Sequence, residues 1–148
     1  MKTFLKILPA IILGCLSAAC NHLSDDAKEM IGNYYLTTVS ENEPVMELNS
    51  DGTCVLHAIK PGVLSYTVNG HWNVENDSLL IKTDGKAASV TGDTTLVRIG
   101  QIPTTKGYAI AGFNGLSLTL TQDGNEYVFA RRGQTSDNKQ TSSTAADQ

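Results

Sequence analysis

Three side chains in the middle of the chain, Cys54, His57 and His71, are of types that catalyse reactions or bind metals. A cysteine nucleophile needs a base beside it and an electropositive setting. His57 follows Cys54 by three residues and, on one strand, would point to the opposite face. A metal site needs three or four converging ligands, and the sequence contains no Cys/His pair with ligand spacing. We therefore expect Cys54 to be a small buried apolar side chain, both histidines to be solvated, and no metal site.

Three carboxylates, Glu41, Glu43 and Glu47, lie close together in the sequence. They could bind a cation or act as an acid and base pair, and glycosidases use two carboxyl groups at set separations for such chemistry. Nothing in the sequence positions them, because they fall on a loop and on the strand that follows it. The sequence also lacks a Gly-x-Ser-x-Gly motif and a phosphate-binding loop. The expectation is a protein that is not an enzyme and carries no cofactor.

Residues 1–19 have the parts of a secretory signal, namely two lysines, the apolar run Ile7–Leu16 and then small residues. The run is too short for a bilayer, which needs about 20 apolar residues. An ordinary cleaved signal is one interpretation. The other interpretation is a lipoprotein signal. It is favoured by Leu16-Ser17-Ala18-Ala19-Cys20, which resembles the bacterial lipobox. That resemblance implies that Cys20 is acylated with several chains, becomes the new N-terminus and anchors the protein. Asn21 in the next position resembles lipoproteins of the outer membrane, facing the periplasm or the cell surface.

Without residues 1–19 the chain has nine basic and fifteen acidic residues, a net charge of −6. This charge argues against nucleic acid or an anionic surface as a partner. Attachment to a membrane would therefore depend on the lipid, because no polybasic segment assists it. Cys54 is then the one cysteine left for the folded domain, so no intrachain disulfide is expected.

Short segments flank the predicted domain on both sides. Residues 20–30 form a spacer in which Ser24 could cap a short helix, with Asp25 and Asp26 favourable near its positive end. The same acidic cluster loosely resembles a signal for export to the cell surface, and a solvated spacer is the alternative. Residues 133–148 lack large apolar side chains, and we expect this tail to be disordered.

Residues 31–132 consist of strand patterns separated by turn signals, which predicts an all-β domain of eight or nine antiparallel strands. Leu64–Val74 alternates strictly between apolar and polar residues, with Gly70 predicting a bend or bulge. Asp84–Gly92 is predicted to be a polar loop. The remaining predicted strands are Gly32–Val39, Val45–Asn49, Thr53–Ile59, Leu79–Thr83, Thr94–Gln101, Tyr108–Phe113, Leu116–Thr121 and Glu126–Arg132.

Such a sheet protects its edges best by closing into a small barrel. The alternation predicts which residues face inward: the even positions of Leu64–Val74, the three leucines of Leu116–Leu120, and then Tyr127 and Phe129. Arg131 continues the last row. Burying a charge unpaired is costly, so we expect Arg131 at one end of the barrel with its guanidinium stacked over an aromatic ring.

Gly32-Asn33-Tyr34 at the first strand and Arg131 at the last resemble the lipocalin-like proteins. In that family a Gly-x-Trp at the start of the first strand packs beneath the barrel, under an arginine of the last strand. Tyr34 stands here in place of the tryptophan. The run Asn69–Leu79 also resembles lipocalin-like domains of small bacterial lipoproteins. The resemblance covers residues 31–132 and implies a small up-and-down barrel closed by Gly32, Tyr34 and Arg131.

Two functional hypotheses follow from this expected barrel. In the first, a monomeric barrel binds a small apolar or amphipathic ligand, lined by Leu36, Tyr66, Val68, Trp72, Leu118, Tyr127 and Phe129. In the second, the aromatic residues fill a solid core, and the protein is a non-enzymatic interaction module, an inhibitor or an envelope-assembly partner. Its contacts would then be made by the loops Ser40–Pro44, Asp84–Gly92 and Ile102–Gly107. The two hypotheses differ in whether the barrel is hollow.

Overall fold

The computed structural model describes residues 22–95 and 97–133. The predicted signal segment, Cys20 and residues 134–148 lie outside the described residues. Within them the chain forms one short helix and nine strands: α1 Asp25–Glu29, β1 Gly32–Tyr35, β2 Met46–Leu48, β3 Thr53–Lys60, β4 Leu64–Glu75, β5 Ser78–Thr83, β6 Ser89–Gly92, β7 Thr105–Phe113, β8 Ser117–Gln122 and β9 Asn125–Arg132.

Eight of these strands form a closed antiparallel barrel. Strands β1 to β5 and β7 to β9 pair with their neighbours in chain order, and β1 closes the ring by pairing with β9. Tyr34 pairs with Arg131 at this closure. The prediction of an all-β, up-and-down antiparallel barrel is confirmed.

Tight turns connect the strands where the sequence placed them. Asn76 and Asp77 both have positive φ, 49° and 56°, between β4 and β5. Asp123 and Gly124, with φ of 51° and 79°, join β8 to β9 in the same way. Two successive residues with positive φ form a type I′ turn, whose twist matches that of an antiparallel hairpin.

The region from residue 84 to residue 104 differs from the prediction. The expected loop Asp84–Gly92 contains β6, which pairs with the first half of β4 and lies outside the ring. The strand expected at Thr94–Gln101 is wrong, because its described residues form no ladder. Their β-branched side chains favour extended backbone, but a strand also needs a partner, and β7 already pairs with β5.

Gly70 does not bend or break its strand, since β4 runs without interruption and Gly70 pairs in register with both Cys54 and Thr83. Its role is to allow a close approach. A Cβ at this position would lie 2.4 Å from the backbone oxygen of Lys82. Any side chain at position 70 would therefore force β4 and β5 apart.

The core fills the end of the barrel on which α1 packs, which we call the base; the opposite end is the mouth. Ser24 caps α1 by accepting a hydrogen bond from the Ala27 amide, and its hydroxyl donates to the Val74 carbonyl. Ala27 is fully buried. The alternation in β4 is confirmed, because its even positions face inward. The prediction that Leu116 faces inward is wrong, because Leu116 lies in the turn before β8 and is 76% exposed.

Among the described residues, no helix has the length and apolar character needed to cross a bilayer.

Candidate functional site

A cavity of about 650 Å³ opens at the mouth of the barrel. Its wall is mostly aliphatic and aromatic, and is formed by Leu36, Val39, Val45, Met46, Leu56, His57, Ala58, Ile59, Tyr66, Val68, Ile81, Thr83, Gln101, Ile102, Pro103, Lys106, Tyr108, Leu120, Gln122, Tyr127 and Phe129.

Five of the residues predicted to line a ligand cavity are on this wall: Leu36, Tyr66, Val68, Tyr127 and Phe129. They come from β4, β9 and the segment after β1, which are distant in sequence. These segments converge because the ring is closed: β9 lies beside β1, and β4 lies beside β3 in the same barrel wall.

Trp72 and Leu118 are not on the cavity wall. Trp72 is 3% exposed and belongs to the packed core, where its indole N–H donates to the Asn49 carbonyl at 3.0 Å. Leu118 is fully buried in the same cluster. Alternation assigns a residue to the inner face, but it does not give the height along the barrel axis. Both residues face inward at the base rather than at the mouth.

The base is closed by Arg131 where β9 meets β1. Its Nη2 donates to the Ile31 carbonyl and its Nη1 donates to the Gly115 carbonyl at 3.3 Å. A Cβ at Gly32 would lie 2.8 Å from Arg131 Nε, so only glycine leaves room for this side chain without a shift. The predicted closure residues Gly32, Tyr34 and Arg131 are therefore adjacent.

The aromatic ring beneath the guanidinium is that of Phe113, whose centroid lies 5.7 Å from Arg131 Cζ. This corrects the expectation that Tyr34 would take that position. Tyr34 is instead fully buried, and its hydroxyl donates to the Met30 carbonyl at 2.7 Å. Burial raises the pKa of Tyr34 to about 12, an effect that the positive charge of Arg131 partly offsets. Tyr34 thus ties the end of α1 to the first strand.

Polar groups are few on the cavity wall and gather toward the mouth. Lys106 is the first inward-facing residue of β7, and its Nζ lies 5.8 Å from the centroid of the Tyr108 ring. Gln122 is the last residue of β8, where the β8–β9 turn begins. Gln101 comes from the segment before β7. No aspartate or glutamate is among the residues that line the cavity.

Sequence reasoning missed Lys106 and Tyr108. The segment Ile102–Gly107 is predicted to be a loop, and no inward row is predicted for Tyr108–Phe113, so neither residue is among the predicted ligand-lining residues. The signal was present: Lys106, Tyr108 and Ile110 alternate with small residues, as an inward row does.

The segment before β7 is fixed to the end of β5. The Thr83 amide donates to the Thr104 carbonyl at 2.9 Å, and the Thr83 hydroxyl donates to the Pro103 carbonyl at 2.8 Å. These bonds hold Ile102 and Pro103 against one side of the mouth. The cavity is therefore bordered by a defined segment of chain beside the end of β5.

His57 is not a freely solvated histidine, in contrast to the expectation. Its Nε2 lies 2.6 Å from Glu47 Oε1, and the two side chains are 20% and 30% exposed. Glu47 lies between the buried Met46 and Leu48 on β2, so the pair is on the outer face of the barrel. The ring of His57 is thus directed at a carboxylate on the outer face, although the residue also borders the cavity.

Cys54 is buried, and burial raises the pKa of its thiol to about 11. A thiol with a raised pKa is a poor nucleophile at neutral pH. Within residues 22–95 and 97–133, no group of three His, Cys, Asp or Glu side chains is placed to hold a metal ion.

Neither a family model nor a curated protein sequence matches the chain. A lipocalin-like protein from Bacteroides uniformis has a similar structure, with 15% identity and a TM-score of 0.48 over 70% of this chain and 99% of that one. An uncharacterized protein from Bacteroides eggerthii is similar at 11% identity and a TM-score of 0.46, over 69% of this chain and 98% of that one.

Likenesses this weak do not assign a family, and the fold is defined by the strand order of this chain. Eight antiparallel strands, connected in chain order and closed by β1 and β9, form an up-and-down barrel with one open end. The interior of a closed barrel of eight strands is either filled by side chains or holds one small ligand, as it does in lipocalins.

Proposed function

We propose that this chain is an envelope lipoprotein whose barrel holds one small apolar or amphipathic molecule in the cavity at its mouth. The observation that carries the proposal is the cavity itself. Its volume of about 650 Å³ falls within the range of roughly 300–1,000 Å³ that is typical of small-molecule sites. The proposed role is binding without catalysis, by a monomer.

The composition of the wall supports this choice of ligand. Side chains such as Leu56, Val68, Leu120 and Phe129 offer apolar contact, and burying apolar ligand surface against them yields about 25 cal/mol per Å². Tyrosine and glutamine side chains nearer the mouth can orient a polar group. An apolar tail in the interior and a polar end at the mouth is the arrangement that suits this distribution.

A paired substitution tests the cavity. Ala58 lies on the cavity wall opposite Tyr66 in the β3–β4 ladder, so Ala58→Trp places an indole inside the cavity. Ala109 on β7 is exposed and off the wall, so Ala109→Trp places the same side chain outside the barrel. Nile red, a neutral dye that fluoresces in apolar sites, is titrated into both variants and the unchanged chain.

We expect saturable fluorescence with the unchanged chain and with Ala109→Trp, and little or none with Ala58→Trp. Circular dichroism establishes that both variants keep their β-structure. If the unchanged chain gives no saturable signal, the ligand-binding role is wrong, and an interaction module working through its loops becomes the better hypothesis. Equal signals from both variants would place the dye outside the cavity.

The lipid anchor is supported by the lipobox-like residues before Cys20, and the first described residues indicate how an anchored barrel would be oriented. Asn73 Nδ2 donates to the His22 carbonyl at 3.3 Å, close to the base. Cys20 precedes His22 by two residues, and two residues span at most about 7 Å. An acyl chain on Cys20 would therefore bring the base toward the bilayer and leave the mouth facing away from it.

Replacing the thiol tests the anchor. In a bacterial host, Cys20→Ala should abolish incorporation of labelled palmitate and release the protein from the membrane fraction. The matched variant Cys15→Ala removes the other cysteine of the leader and should change neither result. Continued membrane association of Cys20→Ala would refute the anchor.

A further inference from the structure

Lys106 is a charged side chain among uncharged neighbours, since Tyr108 follows it on the inward row of β7 and Ile81 lies opposite it on β5. It pairs with Ile81 across the β5–β7 ladder, and Ile81 is 1% exposed. Tyr108 follows on the same face of β7. A lysine facing inward beside a buried isoleucine loses part of its hydration, which favours a polar or charged partner.

The described part of the chain supplies no carboxylate to Lys106. The ion pairs among the described residues are Lys28 with Asp25 and His57 with Glu47, and neither involves Lys106. The Tyr108 ring is near the ammonium group, and a cation over an aromatic face is only weakly stabilised. Lys106 therefore has unused capacity for an anion on the cavity side.

The charge of this wall is opposite to that of the whole chain. The sequence has a formal net charge of −4, yet Lys106 is the cavity-lining residue with a permanent charge, and aspartate and glutamate are absent from the lining. The ring of His57 is directed to Glu47 on the outer face. The permanent charge that a ligand in the cavity contacts is therefore the positive charge of Lys106, near the mouth of the barrel.

We propose, on the basis of the proposed function, that the ligand is a single-chain amphiphile with one anionic headgroup. Lys106 binds this headgroup at the mouth, and the apolar tail extends toward Val68, Leu120 and Phe129. Lys106 is at the start of β7, at the level where Gln122 leads into the β8–β9 turn. Gln101 and Gln122 also line the cavity, and their side-chain amides can donate hydrogen bonds. The apolar wall lies deeper in the barrel.

The segment before β7 explains why the headgroup stays at this height. The hydrogen bonds between Thr83 and residues 103–104 fix Ile102 and Pro103 at the rim. The Thr83 hydroxyl is already used, since it donates to Pro103 and accepts from the Gly85 amide. Lys106 is therefore the strongest donor to an anion on that side of the mouth.

The test compares ligands with the same tail and different headgroups. Decanoate, decyl sulfate, 1-decanol and decyltrimethylammonium are titrated by calorimetry into the full chain, Lys106→Met and Lys82→Met. Lys106→Met keeps an apolar stem of similar length and removes the charge. Lys82 is exposed on the outer face of β5, one ladder position from Lys106, so it reports the general effect of losing a positive charge.

We expect the unchanged chain to bind both anions about tenfold more tightly than 1-decanol, and the cation most weakly. Lys106→Met should bind decanoate and 1-decanol about equally, while Lys82→Met keeps the preference for anions. Added salt should weaken decanoate binding and leave 1-decanol binding unchanged.

Two results separate the two proposals. If 1-decanol binds the unchanged chain as tightly as decanoate, or if Lys82→Met loses as much as Lys106→Met, the anionic headgroup is wrong although the cavity still binds amphiphiles. If none of the four compounds binds the unchanged chain, the ligand-binding function fails and this inference fails with it.

Discussion

Replacing Arg131 tests how the base is closed. Arg131→Met removes the guanidinium and keeps an unbranched apolar stem beside Gly32. The variant therefore loses two hydrogen bonds to carbonyl oxygens, those of Ile31 and Gly115, and the contact with the Phe113 ring. The carbonyls that it leaves behind are partly buried, so water compensates for the loss only in part.

The expected cost follows from these contacts. A hydrogen bond to a charged group contributes about 1.5–3 kcal/mol, but the bond to Gly115 is long at 3.3 Å and adds little. The cation over the Phe113 ring contributes roughly 0.5–1 kcal/mol at a partly solvated site. Together they give a loss of about 2–4 kcal/mol in the free energy of unfolding, or roughly 8–30 °C in Tm for a domain of this size.

Urea unfolding followed by tryptophan fluorescence measures this loss, because Trp72 is the one tryptophan of the sequence and is buried in the core. Arg132→Met is the matched control. Arg132 is exposed on the outer face, where its Nη1 donates to the Glu41 carbonyl at 2.6 Å and its Cζ lies 4.4 Å from the centroid of the Tyr35 ring. Because water replaces these exposed contacts, its loss should cost less than about 1 kcal/mol. Equal losses in the two variants would refute the role of Arg131 in closing the base.

Three further outcomes follow from buried or tethered groups. Burial raises the pKa of Tyr34 from 10.0 to about 12, so the phenol stabilises the fold fully below pH 10. This contribution to the free energy of unfolding is lost as the pH rises from about 10 to about 12. Urea unfolding of Tyr34→Phe should lack that decline. The thiol of Cys54, with a pKa of about 11, should resist iodoacetamide at pH 8 until the chain is unfolded, as mass spectrometry would detect. In vesicles, nitroxide-labelled lipid should quench bimane on Leu116→Cys at the base more strongly than bimane on Asp123→Cys at the mouth, and the reverse order would contradict the proposed orientation.

Much of the barrel could be predicted because its strands are exposed to water on one face. The inward row of β4 alternates with polar residues, and the turns carry dipeptides such as Asp123-Gly124 that favour positive φ. The closure pair Tyr34 and Arg131 could be placed from the resemblance alone. Its partner ring could not, because Phe113 reaches Arg131 through the β7–β8 pairing and not through any sequence pattern.

The cavity wall was only partly predictable, for a physical reason. Alternation separates inside from outside, yet it contains no information on whether an inward residue lies at the packed base or at the hollow mouth. Trp72 and Val68 share one face of β4 and differ only in height. Strand β6 was missed because all four of its residues are exposed, so no apolar row marks it.

The central claim is that the interior of the barrel, at its mouth, binds the tail of a ligand. The direct measurement is isotope-filtered NMR on methyl-labelled protein with unlabelled decanoate, which detects contacts between the alkyl chain and individual methyl groups. The account predicts contacts with Leu56, Val68 and Ile81 inside the cavity. Contacts confined to Leu116 and Val128 on the outer surface would contradict it.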